Sequence, residues 1–156
     1  MPIIYKNSNG DTRTAPKNVT FKEFQKANDM HREDVKNTMN EIALLLMEKG
    51  KKHDWTKKDY EEMFYNNFLS TLNNGTNFIE DEWYQLHIEK EKHHLTSKCH
   101  DDVDLLDVIE MVVDCVCAGK ARSGEIRGLE INQEILGKAL KNTVKKINEM
   151  VKCEEL

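Results

Sequence analysis

The stretch 103-VDLLDVIEMVVDCVCAG-119 decides the fold. Wound as a helix at about 100° per residue, Leu105, Leu106, Val108, Ile109, Val112, Val113 and Val116 cover well over half of its circumference. Met111 and Ala118 cover part of the rest. Inside this apolar surface runs a narrow acidic stripe, Asp107, Glu110 and Asp114, at spacings of three and four. A solvated face would be wider and would mix in Lys or Arg. Carboxylates on a buried face need cations, donors or a metal. The alternative is a strip facing solvent beside a groove. The pattern extends over about 103–121, with Asp101 or Asp102 placed to cap it.

The same period continues on either side. A long helix is expected over about 20–49, with Val35, Thr38, Ile42 and Leu45 on one face and Gly50 as its end. A second starts near Thr56, carries Tyr60, Met63, Phe64, Asn67 and Phe68 along one side, and is broken by Asn73-Asn74-Gly75. A third covers about 79–94. Gly124 and Gly128 mark a loop. The last helix runs over about 132–152, with Ile135, Ala139/Leu140, Thr143/Val144, Ile147 and Val151 as its buried stripe. The only prolines are Pro2 and Pro16, and no segment alternates with period two for long. The expectation is an all-α, single-domain helical bundle of five to six helices over 20–156. An N-terminal arm or small hairpin around Asn9-Gly10 is expected over 1–19.

Bulk properties narrow the function classes. The 156 residues are 33% charged and 38% hydrophobic, with a formal net charge of −5. That balance argues against broad binding to nucleic acid or to an anionic membrane. The longest apolar run, IALLLM at 42–47, is far too short to span a bilayer, and the start MPIIYKNSNGDTRT lacks the apolar core of a signal peptide. Cys99, Cys115, Cys117 and Cys153 form no C-x-x-C, and Cys115 and Cys117, two apart on the helix, read as buried thiols rather than zinc ligands. The expected compartment is the cytoplasm. Nothing in the chain speaks against a homo-oligomer.

Several polar groups fall where a core is expected. His31 lies within about 40° of Val35, Thr38, Ile42 and Leu45, so it points into the core, either as a histidine bonded to a backbone carbonyl or as a ligand. In 83-WYQLHIEKEKHH-94, His87 and His94 are seven apart and share a helical face with Trp83. Two turns separate them by about 10 Å, too far for both to grip one ion unaided. His93 points about 100° away, and with His100 it reads more as polar surface. In 50-GKKHDWTKKD-59, His53 and Asp54 sit at a helix–helix corner. They read as a loop, a cap, or two ligands of one ion. Imidazole with carboxylate suits Mn, Fe, Co, Ni or Zn better than Ca.

The order of these residues resembles the HD-domain metal-dependent phosphohydrolases, an all-helical superfamily that binds metal through H…HD…D. His31, His53-Asp54 and Asp114 match in order. KHDWTK is similar to that family's L-H-D-I-G-K, and VVDCVCAGKARSG to its A-D-x-x-D-A-x-x-x-x-R, with Asp107 the competing distal acid. The chain also resembles a family of small uncharacterised phage and bacterial proteins. These carry H-D-x-S-K-F, W-x-x-H, N-R-H-H-P-E and L-L-D-L-I-E-M-x-C-D-W. Here the matching segments are HDWTKKD, WYQLH, EKHHLT and LLDVIEMVVDC, spanning about residues 28–147. The chain departs at Leu95-Thr96, where that family has Pro-Glu, and at Lys58, where it has Phe.

The broader resemblance implies a divalent transition metal held by His31, His53, Asp54 and Asp114. His87 and His94 would then contact a second metal or a phosphate. It implies hydrolysis of a phosphate ester, a nucleotide foremost, through a metal-bound hydroxide. Asp107 and Glu110 would orient a ligand or take a proton. Lys57, Lys120 and Arg122 would bind phosphate or be ordinary surface charge. Two other readings stand beside it. One is an all-α Mg²⁺-dependent nucleoside-triphosphate pyrophosphatase, with Glu61-Glu62 and Glu110/Asp114 as its carboxylates. The other is a non-catalytic phage accessory protein with a relic metal site, which an exposed apolar stripe on the last helix would favour.

Overall fold

The computed structural model describes residues 3–6, 12–96, 99–126 and 128–153; of Thr14 only the backbone is described. Among these, six α-helices dominate and the protein is all-α. Strand β1 (Ile4–Lys6) is followed by α1 (Phe21–Lys52), α2 (Trp55–Asp59), α3 (Glu61–Asn74), α4 (Glu82–Lys90), α5 (Leu105–Ser123), α6 (Gln133–Met150) and strand β2 (Val151–Cys153). No helix among the described residues is long and apolar enough to cross a membrane.

The chain divides into two compact units, each with its own contacts. One unit holds the described residues up to Glu48 and from Val144 onward. In it, β1 and β2 pair in parallel, with Ile4 opposite Val151 and Lys6 opposite Cys153. Ile4 and Met150 are both buried. The first strand therefore pairs with the far end of the chain. The Asn9-Gly10 turn expected for a local hairpin lies outside the described residues. Thr20 and Glu23 start α1 with reciprocal bonds: Thr20 N donates to Glu23 Oε2 at 2.8 Å, and Glu23 N to Thr20 Oγ1 at 3.3 Å. No residue of α1 is buried. Val35 is 46% exposed, and His31, expected to face a core, is exposed too. Helical spacing groups residues on one face but does not supply what covers that face.

The other unit, Lys49–Thr143, carries the candidate site. The helix runs through Gly50 to Lys52, because one glycine costs only about 1 kcal/mol inside a helix. Trp83 anchors the interior at 2% exposure. Phe64 of α3 stacks on it with ring centroids 3.9 Å apart, and Trp83 N donates to Asn67 Oδ1 at 3.1 Å, tying the start of α4 to α3. Gly75 ends α3 in the left-handed conformation, φ 68, where a Cβ would be strained. Asp104, rather than Asp101 or Asp102, caps α5: its Oδ1 accepts from Leu106 N and Asp107 N, while Asp107 Oδ2 accepts from Asp104 N at 2.7 Å. Asn142 donates to the Asp101 and Val103 carbonyls, each at 2.8 Å, and Thr143 Oγ1 accepts from Leu105 N, docking α6 against the start of α5.

The last helix departs from its expected stripe. Ala139 is buried and Ile135 and Thr143 are half-buried, but Leu140 and Val144 are 53% and 61% exposed. Two cysteines depart as well: all four are free thiols, and of the pair expected to be buried Cys115 is half-buried and Cys117 exposed.

Candidate metal centre

Two local events build the site. The first is the corner after Lys52. Asp54 takes the left-handed conformation, φ 54 and ψ 33, alone among the described non-glycine residues. That conformation costs a residue with a Cβ about 1–2 kcal/mol, and Asp tolerates it better than most. The bend sets the two neighbouring side chains together, with His53 Nε2 3.4 Å from Asp54 Oδ2. The second event is the end of α4 at Lys90, earlier than expected. Glu91 leaves helical geometry, at φ −92 and ψ 111, and its Oε1 accepts from Thr56 N at 3.0 Å and Thr56 Oγ1 at 2.8 Å. The chain then turns back on itself. His87 and His94, which a continuous helix would hold about 10 Å apart, meet with their Nε2 atoms 2.8 Å from each other.

Hydrogen bonding fixes how the rings point. Thr56 gives its one hydroxyl proton to Glu91, so at 2.6 Å it can only accept from His87 Nδ1. The neutral His87 ring therefore turns a lone pair on Nε2 toward Asp54 Oδ1, 3.5 Å away. Burial, with the neighbouring His94, pushes His87 down to about 4; burial, with the neighbouring His93, does the same to His94. Glu110 plays a similar part for His53. Burial works to raise its carboxyl, but the His93 and His53 rings and the Lys49 ammonium bring it down to about 2. An ionised carboxylate only accepts, so His53 donates from Nδ1 at 3.0 Å. Its Nε2 is left facing Asp54 Oδ2 at 3.4 Å and Asp114 Oδ1 at 3.5 Å.

His93 completes the cluster. It is 2% exposed, its Nε2 lies 3.5 Å from Asp54 Oδ1, and its Nδ1 lies 3.3 Å from Glu110 Oε1 but off the line of a hydrogen bond. Neither ring nitrogen has a hydrogen-bond partner, and neither does Asp54 Oδ1. Burial opposes a proton on His93, but the surrounding Glu110, Asp54 and Glu91 carboxylates outweigh it and raise the ring above its ordinary value. Asp54 itself is lowered: burial is outweighed by Lys57, His53 and His87.

The recurring separation of 3.4–3.5 Å between these atoms exceeds the usual hydrogen-bond distance. It matches neighbouring donors around one ion: for bonds near 2.1 Å, ligand atoms stand roughly 3.0 Å apart at octahedral angles and roughly 3.4 Å apart at tetrahedral ones. Two groups of ligand atoms lie within 4.8 Å of one another, His53–Asp54–His93 and Asp54–His87–His94. Asp54 belongs to both.

A cavity of about 670 Å³ opens beside the cluster. Asp54, His87, His94 and Asp114 form its polar side, the aromatic residues Phe64, Phe78, Trp83 and Tyr84 part of its wall, and Lys57 and Arg122 its cations. Lys57 is engaged by Asp54. Gly119 also lines the cavity, and a Cβ there would stand 2.8 Å from the Glu125 carbonyl oxygen.

The expected site residues divide accordingly. His53, Asp54, His87, His94, Asp114 and Glu110 come together. His31 lies in the other unit, exposed, and outside both ligand groups. Asp107 serves a different end: at 1% exposure it closes the α5 cap and pairs with Lys49. Glu110 holds the His53 imidazole in place. Lys120 donates to the Gly124 carbonyl at 3.0 Å, at the end of α5, and does not line the cavity, whereas Arg122 does. His93, read as polar surface, is instead buried at 2% exposure because α4 ends before it; Glu91 and the aromatic wall were not singled out by the sequence. The doublet His93-His94 carried a signal for the histidine.

An all-α protein with a buried histidine–carboxylate cluster opening on an aromatic-walled cavity is thus defined. The chain belongs to a family of unknown function, DUF5662, whose model matches residues 20–153. No curated protein and no solved structure matches it.

Proposed function

We propose that the cluster binds a divalent transition metal, Mn, Fe, Co, Ni or Zn, and that the protein is a metal-dependent phosphohydrolase acting on a nucleotide or related phosphate ester. One observation carries this reading. The Nε2 atoms of His53, His87 and His93 all face the Asp54 carboxylate at 3.4–3.5 Å, and the His93 nitrogens and Asp54 Oδ1 are buried without hydrogen bonds. Atoms of this kind, so spaced, suit a cation among them. His53, Asp54 and His93, or Asp54, His87 and His94, would hold it, with Asp114 beside His53. When bound, a divalent ion acidifies water and polarises a phosphoryl oxygen.

The chain's own groups supply the rest. Glu110 and the Thr56–Glu91 pair fix which imidazole nitrogen faces inward, as carboxylates do behind metal-bound histidines. Asp114, 32% exposed at its side chain, is the acid on the cavity side of His53. Arg122 offers a fork suited to a phosphate. Phosphate release from a panel of nucleotides, by protein stripped of metal and then supplied with Mn²⁺ or Mg²⁺, tests the reading. Release with Mn²⁺ that fails in His53→Ala supports it; no release with any metal counts against it.

The Mg²⁺ pyrophosphatase alternative draws little from the geometry. Glu61 and Glu62 are exposed in the first turn of α3 and belong to neither ligand group. The accessory-protein alternative has one specific observation in its favour, the exposed Leu136, Leu140 and Val144 at spacings of four along α6.

A further inference from the structure

We propose that the cavity selects phosphate monoesters whose alcohol carries a flat aromatic ring, with Phe78 and Tyr84 setting that preference and Arg122 holding the phosphate. The inference rests on the hydrolase reading and narrows its substrate. Phe64, Trp83 and His87 form a continuous stack, at centroid separations of 3.9 and 4.8 Å, that runs from the cavity wall to the metal cluster. Trp83 is 2% exposed and serves as backing. Phe78 and Tyr84 are half-buried and tilted at 60° with centroids 5.6 Å apart, and Phe78 rests on Trp83 at 5.9 Å. The wall is thus a supported aromatic surface within reach of a ligand whose phosphate lies at the cluster.

Such a wall rewards a planar ring and offers little to the hydroxyls of a sugar or to an aliphatic chain. The cations point to a single phosphate. Lys57 is held by Asp54, while Arg122, exposed where it lines the cavity, has no carboxylate within ion-pair reach among the described residues and carries a planar, two-pronged donor. A triphosphate tail would call for further cations, and the cavity lining has no other Lys or Arg among the described residues. A nucleoside monophosphate has the required combination of ring and monoester.

Binding without turnover tests this. The full chain, loaded with Mn²⁺, is titrated calorimetrically with the hydrolysis-resistant 5′-phosphonate analogue of adenosine monophosphate and with propylphosphonate. The nucleoside compound is expected to bind at least about tenfold tighter. Phe78→Leu and Tyr84→Leu, which keep bulk and lose the ring, each cut that ratio by about threefold or more and leave propylphosphonate unchanged. Arg122→Met weakens both compounds alike. Equal affinities in the wild type, or a ratio that survives both leucine variants, overturn the inference while leaving the hydrolase reading standing. A chain that takes up no Mn²⁺ in the loading titration overturns both.

Discussion

Asp54 Oδ1 and His93 Nε2 face each other across 3.5 Å, both buried and neither hydrogen-bonded. Asp54 reaches this position only by adopting a left-handed backbone. A residue kept in a costly conformation with a buried oxygen that makes no hydrogen bond points to a role beyond stability. Replacing it by glycine, which adopts φ 54 freely, separates the two. In chelator, Asp54→Gly relieves this strain but gives up the ion pair with Lys57 and one of the carboxylates that raise His93, so it is expected to be no more stable than the wild type. It loses the metal-induced rise in Tm. Thermal melts with and without chelator check this; a variant equally raised by metal would remove Asp54 from the centre.

The histidines predict how the metal-free protein responds to acid. His87 and His94 are both depressed to about 4, from an ordinary value near 6.5. Between those values the unfolded chain binds protons that the folded chain refuses, so stability is fully present above about pH 6.5 and falls as the pH drops through 4. With two rings shifted this far, the loss is on the order of several kcal/mol. Glu110, depressed to about 2, stays ionised throughout this window. His93 is raised and titrates on the other side of 6.5, where its contribution fades as pH rises. Urea denaturation of metal-free protein at pH 7, 5.5 and 4 gives the slope. His87→Gln should flatten it; an unchanged slope would place the protons elsewhere.

Lys49 bridges two acids with different work. It pairs with Asp107, which closes the α5 cap, and lies 3.3 Å from Glu110, which orients His53. Lys49→Met leaves a carboxylate at 1% exposure without its cation and is expected to cost about 3 kcal/mol. Glu110→Gln instead lowers metal affinity about 10- to 100-fold with a smaller loss of stability. Asp107→Asn, which still accepts from Asp104 N, changes metal affinity little. Paired melts and metal titrations distinguish the three. A large affinity loss in Asp107→Asn would restore that residue to the centre.

Gly119 sets the closure of α5 against the segment that follows it. A Cβ at this position would stand 2.8 Å from the Glu125 carbonyl oxygen, so Gly119→Ala must displace backbone rather than a flexible side chain. The expected cost is about 1–3 kcal/mol, accompanied by weaker binding of any ligand that fills the cavity. Gly50→Ala, with open space around its Cβ in the last turn of α1, is the control and should stabilise by up to about 1 kcal/mol. Urea denaturation of the two variants beside the wild type checks both signs.

How much of this was legible in the sequence depended on the range of the forces involved. The inward acidic stripe on α5 could be read from its spacing, since Asp107, Glu110 and Asp114 share a face whatever surrounds them. The unusual outcome is that Ile109, Val112 and Val113 of the same helix are 42%, 40% and 55% exposed. The meeting of His87 with His94 could not be read. It depends on α4 stopping at Lys90, and 83-WYQLHIEKEKHH-94 contains no glycine or proline to announce a stop. The stop accompanies the buried bonds from Thr56 to Glu91, a tertiary effect that spans 35 residues. His31 illustrates the opposite error. Its spacing with Val35, Thr38 and Ile42 was clear, yet the face it shares is not buried.

Metal content of the purified full-length chain is the decisive measurement. After dialysis against metal-free buffer, mass-spectrometric elemental analysis is expected to find about one or more equivalents of a divalent transition metal per chain. Near-complete loss is expected in a His53→Ala, His87→Ala double variant that still folds by circular dichroism. A chain with under about a tenth of an equivalent, and no heat or Tm change on adding Mn²⁺, Fe²⁺, Co²⁺, Ni²⁺ or Zn²⁺ in turn, would contradict a metal centre at Asp54.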